Sequence, residues 1–270
     1  VFNSDVIRDL KLYKGGIPAN FGGRTSTVLD IYQKEGNNKE YHITGGIGAV
    51  SSRLLAEGPI VKDKSSFVVA GRTSYAHLFL KLADNPNSVS FYDLNAKLNF
   101  KVNDNNRLFL SGYFGKDKMD FNNFFSNNYG NSFFNLRWNH IFSDKFFSNA
   151  SVIYSKYDYG LKIKYVGIDW VSDIRNYNFK YNFNHNLSDK LVLNYGVNSI
   201  YYQFNPGTIK PMDSTSSVNA DQIEKKYAWE NALYISAEHK LTDRISLNYG
   251  LRYSNFMRLG EEHVNVYTNN

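Results

Sequence analysis

Along much of the chain, apolar and polar residues alternate one by one. From Asn176 to Leu187, Tyr177, Phe179, Tyr181, Phe183 and Leu187 share one parity with His185, while Asn176, Asn178, Lys180, Asn182, Asn184 and Asn186 hold the other. Tyr92, Leu94, Ala96, Leu98, Phe100 and Val102 interleave in the same way with Asp93, Asn95, Lys97, Asn99 and Lys101. A third set, Ile245, Leu247, Tyr249, Leu251 and Tyr253, interleaves with Ser246, Asn248, Gly250, Arg252 and Ser254. Together, 16 of 17 positions on one face are apolar against 0 of 16 on the other. That is the period of a strand with one oily and one wet side.

A soluble sandwich or a closed soluble barrel alternates as well. Length argues against both: the runs last about 10 to 20 residues, where a soluble strand has about 5 or 6 and a tilted bilayer-spanning strand about 9 to 11. Strands are expected at 40–56, 65–80, 89–102, 106–120, 132–143, 146–165, 173–187, 190–204, 226–241 and 244–258. In the sixth, the apolar parity moves from Ala150, Val152 and Tyr154 to Tyr157, Tyr159, Leu161 and Ile163. This predicts a bulge near Ser155 or emergence of the strand above a membrane.

Short polar turns punctuate the pattern. Val102-Asn103-Asp104-Asn105-Asn106-Arg107, Phe142-Ser143-Asp144-Lys145, Leu187-Ser188-Asp189-Lys190 and Leu241-Thr242-Asp243-Arg244 are copies of one theme, with Val61-Lys62-Asp63-Lys64 as a looser fifth. The five Asp markers lie 41, 40, 45 and 54 residues apart, so each interval holds two long strands and one longer connection. An Asp carboxylate accepting from nearby backbone amides is the expected device at each turn. Variable connections are expected at 82–90, 121–132, 166–172 and 205–226. Tight turns on one side and long loops on the other match a bacterial membrane barrel.

Composition narrows the choice. The 21 Tyr and 20 Phe suit strands, and no stretch approaches the roughly 18 apolar residues of a spanning helix. The absence of Cys removes disulfides, thiolate metal sites and cysteine nucleophiles. A net charge of +6 invites nucleic-acid binding, but the basic residues are scattered singly among Tyr, Phe and Leu and are better assigned to lumen and loops.

Residues 1–38 break the alternation with glycine pairs and Pro18, as the end of a different module would. Leu12-Tyr13-Lys14-Gly15-Gly16-Ile17-Pro18-Ala19-Asn20-Phe21-Gly22-Gly23-Arg24, continuing through Asp30-Ile31 to Lys34-Glu35-Gly36, resembles the closing portion of the plug in TonB-dependent outer-membrane receptors, most closely those of Bacteroidetes-type bacteria. Glu57-Gly58-Pro59-Ile60 and Gly71-Arg72-Thr73-Ser74-Tyr75 are similar to that family's first barrel hairpin.

The resemblance implies an all-β chain with two parts: 1–38, the C-terminal part of a plug, and 39–270, the N-terminal part of an antiparallel transmembrane β-barrel, about ten strands of 22. It implies TonB-driven import of an extracellular ligand (siderophore, glycan, peptide or similar) across the bacterial outer membrane. Lipid, a TonB complex acting through a plug segment ahead of Val1, and a surface lipoprotein are the partners it suggests. A passive porin or purely structural barrel remains the alternative, and no enzymatic constellation or cofactor is expected.

The individual candidates have competing readings. Gly46-Ile47-Gly48 lacks the third glycine and the helix of a dinucleotide loop, so small residues letting the first strand pass near the plug is the better account. His140, His185 and His239 precede successive turns about 10 Å apart, too far to share one ion, and are expected at the membrane interface. Glu261 and Glu262 point oppositely on an extended chain, which suits loop charge. Phe124, Phe125 and Tyr129, within the Asn122–Tyr129 segment, and Trp170 are loop aromatics suited to stacking on a sugar or peptide, with a self-packed solvated loop as the favoured alternative.

Overall fold

The computed structural model describes residues 3–23, 26–122, 124–214 and 216–261. A 3-10 turn, Ser4–Val6, leads into a hairpin of β1 (Ile7–Tyr13) and β2 (Val28–Gln33). The wall then follows in chain order: β3 (His42–Ile47), β4 (Ser51–Val61), β5 (Ser65–Ser74), helix α1 (Ala76–Leu82), β6 (Asn87–Asn103), β7 (Asn106–Phe121), β8 (Phe125–Ser143), β9 (Phe146–Ile163), β10 (Ile168–Ser188), β11 (Leu191–Pro211), the two-residue β12 (Asp221–Gln222), β13 (Lys226–Thr242) and β14 (Ile245–Leu259). Every pairing is antiparallel and, apart from β12 beside β11, each strand lies next to its sequence neighbour, running from β3 to β14. Among the described residues β3 and β14 are not paired with each other, so the sheet is an open arc.

The arc is curved around its N-terminal segment. Ala19 and Asn20 meet β14 and β10, Gln33 meets β6, and Glu35 meets β5. In a flat sheet β5 and β14 would stand about 38 Å apart at about 4.8 Å per strand, so one short segment reaches them all only on the concave side. The polar parity faces that side: Asp93 and Lys97 are 6% and 7% exposed. The apolar parity is convex and uncovered, with Val152 56% and Leu251 73% exposed. Burial is inverted relative to a water-soluble sheet, as lipid-facing strands require.

Two aromatic rows cross the convex band. Cross-strand register links Phe134 to Tyr154, Tyr154 to Tyr177, Tyr177 to Tyr201 and Tyr201 to Trp229. Nearer the tight turns, Phe142, Phe146, Phe183 and Tyr195 follow one another with ring centroids 4.7, 5.9 and 5.3 Å apart. From Tyr177 to the turn at Ser188 the strand runs about 36 Å, or about 27 Å along a membrane normal at a tilt of about 40°, close to the roughly 25 Å apolar band of a barrel. His140, His185 and His239 lie on this convex parity near the turns. The His140 Nδ1 is 2.8 Å from Asn106 Oδ1.

Several expectations are corrected. The segment 40–56 is two strands, β3 and β4, joined by a turn in which the Gly48 amide donates to the Ser51 carbonyl at 2.9 Å. Gly45 and Gly46 have β4's Leu54 and Arg53 as nearest neighbours, so they accommodate the adjacent strand, not the N-terminal segment. The 65–80 strand stops at Ser74 and the rest becomes α1. The 121–132 and 166–172 connections shrink to short turns because β8 begins at Phe125 and β10 at Ile168; β11 likewise runs to Pro211. There is no bulge near Ser155: β9 keeps unbroken register with both neighbours through that point. Its parity change has another cause, taken up below.

All five tight turns are present, and in three of them a residue other than Asp caps the turn. Asn103 accepts from the Asn105 amide, Ser188 from Lys190 and Thr242 from Arg244, at 3.0, 3.3 and 3.2 Å. Asp104 and Asp243 instead face solvent and pair with Lys101 and Lys240 three residues earlier, at 2.6 and 2.9 Å. The Lys101 hydrogen bond holds the Asp104 carboxyl below the usual range.

The convex assignment makes a direct prediction for the full-length protein. Leu136, between Leu110 and Val152 on neighbouring strands, replaced by Arg should cost about 2–4 kcal/mol in urea titrations of folding into lipid vesicles. Asn131→Arg, on the concave parity of the same strand, should cost less than about 1 kcal/mol.

Candidate functional site

The concave surface carries the chemistry, in two zones. The lower zone is the seat of the N-terminal segment. Val6 completes a small apolar cluster with Leu55, Val68 and Ala70 on β4 and β5, and beside it Arg53 pairs with Asp5 at 2.8 Å. At the other end of the segment, Ser66 Oγ donates to the Glu35 carbonyl at 2.7 Å. Gly36 follows with φ +82°, and a Cβ there would overlap the Phe67 backbone carbonyl, so only glycine fits. The Lys34-Glu35-Gly36 element therefore marks a backbone-to-backbone contact.

The glycine-rich turn sits against the far half of the arc. The Phe21 amide donates to the Pro18 carbonyl at 3.0 Å, closing a turn that presents two carbonyls to cations: Arg252 Nη1 donates to Ala19 O at 3.3 Å and Lys180 Nζ to Asn20 O at 3.4 Å. Phe21 packs under Lys180 and against Tyr13, with the ammonium 5.4 Å from the ring centroid. Gly22 leaves room for the Arg252 guanidinium, and Gly23 takes φ +74°. Lys14, Gly15 and Gly16 form an open tip with nothing packed on either glycine. Arg24, Thr25, Asn123 and Glu262 lie outside the described residues.

The first-hairpin motif has equally specific roles. Gly58 leaves space for the Tyr41 ring, whose hydroxyl donates to the Pro59 carbonyl at 2.9 Å. Glu57 is held in register between His42 and Val68. Arg72 closes on Asp93 with contacts of 2.6 and 2.8 Å. Tyr75 precedes α1, and its hydroxyl donates to the Ser51 and Gly48 carbonyls, bracing the β3–β4 turn.

Between the β1–β2 hairpin and β6–β8 lies a cavity of about 490 Å³. Arg8, Lys97 and Arg137 supply positive charge and Asp30 and Glu35 negative charge along its lining. Phe109 lies between the Lys97 ammonium and the Arg137 guanidinium, 5.4 and 4.3 Å from its centroid. Lys97 also donates to the Gln33 carbonyl at 3.2 Å. A hydrogen bond to Asp30, reinforced by burial, pushes the Tyr32 hydroxyl up to about 12, so it stays neutral and its support for the fold persists below pH 10, fading only as pH rises through 12.

The upper zone begins above the Phe134–Trp229 row, where the sheet exchanges its polarity. Outside, Tyr154 gives way to Lys156, Asp158 and Lys162 on β9, and Tyr177 to Arg175, Asp173 and Asp169 on β10. Inside, Tyr157, Tyr159 and Leu161 replace the polar residues below. This is emergence of the strands above the apolar band, the second of the two causes expected for the β9 parity change. Phe125, Tyr129 and Trp170 belong to this inner wall and lie on strands, not loops, with Tyr159 and Leu161 between them in register. Trp170 also covers Gly207. Phe124 sits apart in the β7–β8 turn, 70% exposed.

Lys97, Arg137, Lys180 and Arg252 were not singled out from the sequence. A usable signal was present for two of them: Lys180 and Arg252 are each a lone cation on a parity otherwise made of Asn, Ser and Gly. Among the described residues no group of three or more His, Asp or Glu is arranged to hold a metal ion.

Solved structures with this architecture were found. The chain is similar to the copper transporter OprC at 13% identity and a TM-score of 0.73, over 93% of this chain and 42% of that one. It is similar to the pyoverdine outer membrane receptor FpvA from Pseudomonas aeruginosa PAO1, at 13% identity and 0.72 over 94% and 47%, and to the siderophore receptor PirA from Acinetobacter baumannii, at 16% and 0.68 over 93% and 44%. The fold is that of an outer-membrane receptor barrel. The chain spans less than half the length of each of these receptor-fold proteins. No protein-family model and no curated protein matches the sequence.

The cation-to-carbonyl contacts generate a test. Lys180→Ala with Arg252→Ala should free the 18–23 turn, raising amide exchange over 14–23 by about tenfold or more, while exchange in β10 stays slow.

Proposed function

We propose that this chain forms the closing part of a plug, residues 1–38, and the first part of a barrel wall, residues 39–270, in a TonB-dependent receptor that imports an extracellular ligand across the bacterial outer membrane. The observation that carries this reading is the seat itself. The N-terminal segment is held inside the arc by side chains of β4, β5, β6, β10 and β14. A passive pore has no use for such an obstruction. Resemblance at Lys14-Gly15-Gly16, Gly22-Gly23 and Glu57-Gly58-Pro59, closest to Bacteroidetes-type receptors, supports it, as do solved neighbours whose names describe siderophore reception and metal transport.

On this reading the residues here are wall and plug terminus. The TonB complex acts through another part of the plug, further strands complete the barrel, and a surface lipoprotein is a candidate partner at the outer face. The chain's role is transport, not catalysis. Carbonyl contacts of 3.2–3.4 Å and the Arg53–Asp5 ion pair hold the segment firmly at rest yet are exchangeable for water one at a time. An unpaired arc exposes two edges to hydrocarbon, so the isolated chain should not insert as a compact species.

Planar-bilayer recording on the full-length protein separates import from passive conduction. The native protein should show no steady conductance, and deleting the segment equivalent to 1–38 together with the rest of the plug should open a large ohmic pore. Steady conductance by the intact protein would favour the porin alternative.

A further inference from the structure

The upper concave wall holds a carboxylate in unusual company. Asp117 lies on the inward parity of β7, continuing the line Phe109, Ser111, Tyr113 that faces the cavity. Its cross-strand partners are Phe91 on β6 and Tyr129 on β8, and Tyr129 is in turn paired with Tyr159 on β9. One row across four strands thus reads Phe91, Asp117, Tyr129, Tyr159. Tyr113 leans from below over Gly115 toward the same spot.

Among the described residues Asp117 makes no ion pair; across the strand pair stands Tyr129, whose hydroxyl is held neutral by burial and by the Asp117 charge. Arg72 closes on Asp93 one row below, with its guanidinium 5.8 Å from the Phe91 ring centroid. One row above, Asn127 spends its amide on the Tyr159 hydroxyl at 3.2 Å, and its carbonyl oxygen is buried without a donor. The row therefore offers a carboxylate outside any ion pair beside the rings of Tyr113, Tyr129 and Tyr159. That combination recognises a positively charged donor on an apolar body: aromatic faces attract cations, and the carboxylate supplies a charge-assisted hydrogen bond.

We propose that this row is a binding site for an amphipathic organic cation, an ammonium or guanidinium carried on an aromatic or aliphatic body. The proposal rests on the import reading in placing the row inside the lumen, and it names the substrate class of that vestibule. The site stands at the upper mouth of the 490 Å³ cavity, whose lining below carries Arg8, Lys97 and Arg137. A cation captured at Asp117 is thus held above a positively charged floor, and it goes no deeper while the N-terminal segment keeps that floor in place. A polyanionic ligand gains nothing from the row.

Calorimetric titration of the full-length protein in detergent tests this with three matched probes: phenethylammonium, neutral 2-phenylethanol and anionic 3-phenylpropionate. The cation should bind about tenfold or more tightly than either of the others. Asp117→Asn, with folding checked by heat-modifiable migration, should abolish that preference, and Tyr129→Ala should weaken the cation alone. Equal affinities for the three probes, no measurable binding of the cation, or a preference unchanged in Asp117→Asn would each overturn the site. The wild-type comparison stands even where a variant does not fold. A closed pore without cation preference removes this site and leaves import intact; an open pore with cation preference does the reverse.

Discussion

In hydrocarbon no water is available to a backbone N–H or C=O, so every peptide group at that depth must find its partner in the protein. Strands meet the requirement only edge to edge, and this chain does so from β3 through β14 with each long strand bonded to its sequence neighbours. Once the ladder is continuous, side-chain parity is no longer free: alternate residues must face lipid and lumen over the whole height of the band. The Tyr, Phe and Leu parity and the Asn, Ser and Lys parity are consequences of that single constraint. So are the aromatic rows that cross the band.

The same constraint explains why the N-terminal segment meets much of the wall through backbone carbonyls. The inner surface of such an arc cannot be oily without collapsing, and its Lys, Arg and Ser donors need partners where solvent is thin. Carbonyls of the glycine-rich turn and of Gln33 and Glu35 supply them. Glycine at 22 and 36 permits the approach, in one case to a guanidinium and in the other to a backbone carbonyl. The motif is therefore physical before it is familial. Above the apolar band the demand on the outer face reverses, since water replaces lipid, and the apolar residues move inside. That exchange is what gives the vestibule its aromatic character.

The long strands and tight turns were legible because both are written in period two and in short Ser/Thr/Asn-Asp punctuation. Where the reading failed, the pattern had lost its lipid reference. Phe125–Ser132 and Ile168–Ser172 look like loops because both faces there carry polar residues, yet the hydrogen-bond ladder continues through them. The β3–β4 turn was hidden by Gly46-Ile47-Gly48-Ala49-Val50, which is apolar enough to pass for strand. In 76–82 the leucines at alternate positions imitate a strand, while a short helix satisfies the same residues at the rim. The cation seats were invisible for a different reason. Lys180 and Arg252 acquire meaning only from Asn20 and Ala19, 160 and 233 residues away.

The central claim is that lipid wets one parity of each long strand and the lumen holds the other. The chain has no Cys, so single cysteines along β10 from Asn176 to Leu187 give an unambiguous scan when spin-labelled in the full-length protein in bilayers. Labels at 177, 179, 181 and 183 should be relaxed strongly by oxygen dissolved in the lipid. Those at 176, 178, 180 and 182 should be nearly insensitive to it. A profile without alternation, or one with the two sets reversed, would contradict the account.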